Sequence, residues 1–479
     1  MRRHGAGRRP WSLTKISYII ISPGVCVING RWPHCGGCWD WGGVTGGKAP
    51  MVLGRDDRPY FFLSYARTPK RDPSDRDDPD RWVYKLYKDL CGAILQMTDA
   101  RPEEAGFMDR ENKLGTEWSP ELTAALARCR VFVPLYSRRY FESDNCGREW
   151  FAFARRELTH RARGRQLVDA IVPALWTRLD RPKLPNVAQS VQFEHSFLGE
   201  RYCAEGFYGI MKLQNYRADY QRAVYRLAER IIAIGDESVA FTDENVVPAV
   251  TQADFESLPS AFGPASARRT ADGQLQIVVL AHDTSTLPPG RSRDYYGATP
   301  DTWSPYRPDY TQPVADYALE LAKKCLDCIP LVGAFDDGMA NRASNGHPVP
   351  PSLCLVDAWV SVSAAHQEQL SRLEQIEESW VSVLVPWNSQ DPGMCEAKDD
   401  LRAKLRQHLG SKLASVPRRC QMAANGIPTL HDFGQLLPEM TMIMLKRFRK
   451  EATAHPPAGP VIERPRLRRS EPLYSGDAR

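Results

Sequence analysis

Short apolar runs rich in β-formers alternate along this chain with stretches whose apolar positions recur at helical spacing, and no other feature constrains the fold as much. The run Val131–Tyr136 (VFVPLY) is too brief for a helix and apolar on both sides of a strand. Such a strand must be covered on both faces. Helices between successive strands provide the cover, and a strand–helix–strand order with right-handed crossovers makes the sheet parallel. The class expected is α/β.

Residues 129–157 (CRVFVPLYSRRYFESDNCGREWFAFARRE) organise the first half. Ser137 falls where the strand should end. Ser143 or Asp144 is placed to cap a helix beginning near Asn145. Trp150, Phe151, Phe153, Ala154 and Leu158 form its apolar face. Glu149 lies in its first turn or two, which sets a carboxylate at the carboxyl edge of a strand, where open α/β sheets bind ligands. Upstream, residues 60–65 read as a strand, and Trp82, Val83, Leu86, Leu90 and Ile94 share one helical face. Residues 106–109 give a compact strand signal ending in Asp109. Leu122, Ala125 and Leu126 continue at helical spacing, and residues 170–176 are another buried strand. Tyr216, Tyr220, Val224, Leu227 and Ile231 make the stripe of a closing helix.

A second unit repeats the pattern. Strands are expected over 276–281, 329–335, 353–359 and 380–387, with helices over 314–326 and 364–376. FFLSYAR pairs with VVLAHD, GFMDR with GAFDD, VFVPLYS with LCLVDAW, and AIVPALW with VSVLVPW, an echo that implies an internal duplication. Helices over 396–413 and 430–450 close the chain. Residues 1–50 are expected to be a disordered or mis-annotated extension, with Met51 the true start. The first domain then spans 56–235, a linker 236–272, the second α/β domain 273–450, and a disordered Pro- and Arg-rich tail 451–479.

An apolar fraction of 42% in 479 residues supports more than one core. A net charge of +5 on so long a chain, without a basic face, gives no reason to expect nucleic acid. The 12 cysteines show no small-domain framework and read as reduced cytoplasmic thiols. Nothing past residue 50 is apolar for long enough to cross a membrane. Arg2, Arg3, Arg8 and Arg9 precede an apolar run over 16–28, but no small-residue cleavage site follows. Cys35 and Cys38, with His34 and Cys26 nearby, are half a zinc site, so no metal is expected. Neither a phosphate-binding P-loop nor a strand-linked G-x-G-x-x-G occurs.

Ser137, Tyr140, Ser143, Cys146 and Glu149 stand as S-x-x-Y-x-x-S-x-x-C-x-x-E. This resembles the third conserved box of TIR (Toll/interleukin-1 receptor-like) domains, with Asn145 where that family usually has Trp. FFLSYAR is similar to the first box, with Phe61 at the usual Asp position. W-V-x-x-L-x-x-x-L from Trp82 is similar to the helix that follows, and F-x-D-x-x-x-x-L-G-x-x-W-x-x-x-L from Phe107 to the second box. The resemblance spans roughly residues 58–200 and implies flavodoxin-like, three-layer units with parallel sheets, the second degenerate. In that second copy Glu368 is the only carboxylate near the right place, and it reads more simply as a solvated helix charge.

What the resemblance implies for chemistry centres on Glu149, the catalytic residue in family members that cleave NAD. This chain would then be an NAD nucleosidase with NAD as substrate and no cofactor. Ser64, Tyr65, Arg67, Asp109, Trp118, Ser137, Ser143 and Cys146 would bind the substrate: Tyr65 and Arg67 at the mouth near the pyrophosphate, Asp109 or Trp118 on a ribose or ring, Ser137 and Ser143 on ribose or carboxylate. Trp118 reads equally well as a loop anchor, and Glu149 as a charge favoured near a helix N-terminus. The alternative is a non-catalytic scaffold acting by TIR–TIR association with itself or other TIR proteins. A third reading makes the second unit a nucleotide-like messenger sensor. A narrower resemblance, on the SYAR box, the CGREW third box and the two-unit layout, is to the bacterial FxsC group of TIR-like proteins, which implies a link to peptides ending FxSxx-COOH.

Overall fold

Phe61, Phe62, Leu63 and Ser64 form β1 (Phe61–Ser64) in the computed structural model, and all four are buried, as a strand covered on both faces requires. The structure describes residues 58–70, 72, 77–109, 120–164, 169–179, 184–191, 193–239, 255, 257–263, 274–335 and 349–451. The expectations for residues 1–50, for the tail from 452 and for Trp118 lie outside the described residues.

The first lobe continues with α1 (Arg81–Met97), α2 (Pro120–Arg128), β2 (Val131–Tyr136), α3 (Arg138–Glu142), α4 (Asp144–Ala162) and β3 (Ala174–Leu175). It ends with α5 (Asn186–Gln189), α6 (Glu200–Lys212) and α7 (Arg217–Val239). β1 pairs in parallel with β2, Phe61 opposite Val131, and β2 with β3, Leu135 opposite Ala174. Two expected strands are shorter than their apolar runs. In 170–176, Pro173 has no N–H to give a ladder, so pairing reduces to β3 and one bridge between Phe132 and Ile171. Residues 106–109 contribute a single parallel bridge, Phe62 to Phe107, on the other side of β1. Gly106 permits that approach: a Cβ there would sit 2.4 Å from the Phe61 ring.

The second lobe holds β4 (Gln274–Leu280), α8 (Val314–Cys325), β5 (Ile329–Ala334), β6 (Ser352–Val356), α9 (Ala364–Glu374) and β7 (Val381–Leu384). α10 (Pro392–Glu396), α11 (Lys398–Ala414), α12 (Gln421–Asn425) and α13 (Leu430–Glu451) complete it. Its sheet is parallel with order β5-β4-β6-β7. Its first strand, β4, therefore lies between the second and third, as β1 lies between the Phe107 segment and β2. The run expected as a strand over 353–359 stops at Val356. The Asp357 carboxylate then accepts the Trp359 N–H and starts a 3-10 turn, Ala358–Val362.

The lobes share a core through α4 and α8. The Trp150 indole N–H donates to the Lys324 carbonyl at 2.8 Å, and the Lys324 ammonium lies 2.6 Å from Asp169. Residues 255–263, inside the stretch expected as a linker, are packed rather than solvated where described. Phe255 and Ala261 are fully buried and Phe262 nearly so. The Ala261 N–H donates to the Gly147 carbonyl, and the Phe262 ring lies 5.2–5.8 Å from those of Tyr140, Phe141 and Trp150. Among the described residues no helix is long and apolar enough to cross a membrane.

Candidate functional site

Two helix caps in series build the site. The Ser137 hydroxyl accepts the Tyr140 N–H at 3.1 Å and starts α3. The Ser143 hydroxyl accepts the Cys146 N–H at 3.3 Å and starts α4. Each serine stands three residues before the amide it holds, the geometry of an N-cap. The spacing of the motif is thus spent on aiming two short turns. Their result is that Tyr140, Cys146 and Glu149, all buried, face the carboxyl end of β1.

At that end Ser64 donates its hydroxyl proton to Glu149 Oε2 in a short hydrogen bond. The Tyr140 hydroxyl lies 3.1 Å from Ser64 Oγ. Glu149 is 7% exposed, and among the described residues no cation is paired with it. Burial pushes its carboxyl up to about 8, against the opposing pull of the Ser64 hydrogen bond; Asp109 adds to the rise and Arg67 opposes it. Burial also raises the Cys146 thiol, with Glu149 adding to it, as for a cysteine packed in a core. Glu157, one helical face away, is different. Its carboxylate is buried too, but it accepts the Ala170 N–H at 2.6 Å and has the Lys324 ammonium 3.6 Å away. Glu157 has a structural partner set; Glu149 has the Ser64 hydroxyl, which Tyr140 backs.

The remaining expected residues divide. Arg67 pairs with the Asp109 carboxylate at 3.0 Å, and the Tyr65 hydroxyl donates to the Asp109 carbonyl at 3.1 Å. These three form a partly exposed rim, and of them Asp109 and Arg67 bear on Glu149 through their charges. Ser137 and Ser143 use their hydroxyls as caps, and Ser64 and Cys146 are buried inside the site. Glu368 forms an exposed ion pair with Arg372, the solvated reading of it. Two participants carried no sequence signal for their role. Tyr140 stands in the motif, but nothing in the spacing assigns its hydroxyl to Ser64. Phe262, which closes over Tyr140, is far from the motif in sequence. A groove of about 830 Å³ between α1, α6 and α7, lined by Lys85, Asp89 and Tyr225 among others, contains none of these residues.

The second lobe carries a separate buried polar cluster at the carboxyl edge of its sheet. The Arg291 guanidinium pairs with Asp391 at 2.7 Å and donates to the Tyr296 hydroxyl at 3.0 Å; that hydroxyl donates to Asp357 at 2.8 Å. The Arg291 and Asp391 side chains are 4% and 3% exposed. Burial raises the Asp357 carboxyl although Arg291 and the Tyr296 hydrogen bond oppose it.

Residues 61–202 match the family model of the TIR domain. The match runs from β1 into α6 and holds Ser64, Tyr140, Cys146 and Glu149. This part of the chain is therefore a TIR domain, whose flavodoxin-like α/β fold agrees with the parallel sheet and its covering helices. No curated protein matches the chain.

Proposed function

Starting from a TIR domain at residues 61–202, a module of signalling and defence proteins, we propose that the first lobe cleaves NAD at the nicotinamide–ribose bond with Glu149. One observation carries this reading: a carboxyl group is buried at the carboxyl edge of a parallel strand, hydrogen-bonded to Ser64 and, among the described residues, in no ion pair. Such burial costs stability, and strongly perturbed groups of this kind concentrate at functional sites. In the reaction the bond from ribose C1′ to the ring nitrogen breaks, and its electron pair leaves with neutral nicotinamide. The ribose becomes oxocarbenium-like, and an ionised Glu149 stabilises it as glycosidase carboxylates do. Water then bonds to C1′ and releases a proton to solvent. Arg67 on the rim is suited to the pyrophosphate.

The test is NAD consumption by the purified full chain beside Glu149→Ala, at dilute and at oligomerising concentrations. Loss of at least a hundredfold in the variant is expected. Equal rates, or no turnover by the parent under either condition, removes the reading. The second reading is a scaffold acting by TIR–TIR association, with the link to FxSxx-COOH peptides that the FxsC resemblance suggests. It is favoured by the packing of residues 257–263 over α3 and α4, which makes the Glu149 region part of the core. Under that reading the variant changes stability and leaves self-association in place.

A further inference from the structure

Resting on that reading of Glu149, we propose that Ser64, backed by the Tyr140 hydroxyl, is the positioning residue that holds the Glu149 carboxyl in one place in both of its protonation states. Ser64 was a substrate-binding candidate on sequence, but it is 1% exposed and its hydroxyl already meets two protein oxygens. A hydroxyl has one proton to donate and can accept in return. With Glu149 ionised, Ser64 gives its proton to Oε2 and accepts from Tyr140. With Glu149 neutral, the carboxylic O–H donates to Ser64, and Ser64 donates to Tyr140. The heavy atoms need not move: only the hydroxyl hydrogens rotate. Tyr140 cannot swing away, because its ring is wedged between those of Tyr136 and Phe262, with centroids 6.1 and 5.4 Å distant. Burial holds the Tyr140 hydroxyl far from ionisation, so it stays available in both roles.

The other ionisable groups bearing on Glu149 are Asp109 and Arg67 at the rim and the neutral Cys146 thiol on its own helix. Neither Asp109 nor Arg67 is hydrogen-bonded to the carboxyl, so among the described residues the direct hold on it is Ser64, with Tyr140 behind. Losing the relay removes a hydrogen bond that favours the charged form and leaves the burial cost opposed by the Arg67 charge alone.

The experiment titrates Glu149 in the full chain, without NAD, by carbon NMR of side-chain-labelled glutamate, with Glu149→Gln assigning the resonance. Ser64→Ala is expected to move the midpoint upward by about one pH unit. Tyr140→Phe moves it the same way by less. Ser137→Ala, which removes a helix cap of the same site without touching Glu149, leaves it in place. If Ser64→Ala and Tyr140→Phe leave the midpoint unmoved, or if Ser137→Ala moves it equally, the relay is wrong. The two claims fail separately. A chain that turns over no NAD but shows the displaced midpoint loses the catalytic reading and keeps the relay. A chain that turns over NAD with an unmoved midpoint keeps the reading and loses the relay.

Discussion

Replacing Glu149 by glutamine should make the protein more stable at alkaline pH, and by an amount that depends on pH in a defined way. The carboxyl titrates near 4.5 in an open chain and at about 8 in the folded protein. Between those values the native state binds a proton that the unfolded state has released. Stability therefore falls as pH rises through that interval, with the penalty absent below the lower value and complete above the higher one. Each pH unit is worth about 1.4 kcal/mol, so the full interval amounts to at most about 5 kcal/mol. Glutamine keeps the carbonyl oxygen that accepts from Ser64 and removes the titration. Urea unfolding of the parent and of Glu149→Gln, followed by tryptophan fluorescence between pH 5 and 9, reads the difference. The two curves should lie close together near pH 5 and separate steadily above it, the variant being more stable by several kcal/mol at pH 9. A gap that stays constant across the range means that Glu149 is not the buried, uncompensated acid described above. The same titration governs catalysis under the proposed function, with the opposite consequence: ionised Glu149 is the working form, so the rate of NAD cleavage should rise with pH through about 8.

Two further substitutions probe the packing around the site and the second lobe. Gly147→Ala would place a Cβ 1.9 Å from Ser260 Oγ and 3.1 Å from its Cα, forcing residues 257–263 off α4. A loss of about 1–3 kcal/mol is expected from such overpacking, seen as a lower thermal midpoint, and Ser260→Gly in the same chain should restore much of it; an unchanged midpoint refutes the contact. Asp391→Ala strips the Arg291 guanidinium of its closest carboxylate and opens the α10 cap, since the same side chain accepts the Gly393 N–H. A buried charge left without its partner typically costs about 3–5 kcal/mol, so thermal unfolding should start well below the parent's, and a parent-like melting curve would place Arg291 in solvent.

The α/β class and the position of Glu149 were legible because they rest on period and spacing, which are local. The strand over 131–136 and the helix carrying Trp150 to Leu158 appear with nearly the expected bounds, and Ser143 is the cap. Where reading failed, a distant partner decided. Apolarity suggested full strands at 106–109 and 170–176, but Pro173 and the room beside Phe61 limited pairing to bridges. Residues 255–263 looked like linker because Pro, Ser and Ala dominate nearby, yet a few apolar side chains suffice to bury such a segment once a groove beside α4 exists. Ser137 and Ser143 were read toward a ligand, and Ser143 also as a cap; in the structure both hydroxyls accept backbone N–H groups, which the three-residue spacing fits. The Ser64–Tyr140 pair depends on a β1-to-α3 approach that no local pattern encodes.

Helix α4 belongs to both lobes, and this gives the buried carboxyl a wider meaning. Its first turns present Cys146 and Glu149 to the end of β1. The next residue, Trp150, is hydrogen-bonded to Lys324 at the end of α8, and about two turns on Glu157 faces the same lysine. Residues 257–263, which precede β4, lie across its N-terminus through Arg148 and Gly147. α4 thus joins the Glu149–Ser64 contact to both α8 and the 257–263 segment. Through α4 the packing of the second lobe is continuous with the surroundings of the first lobe's buried acid.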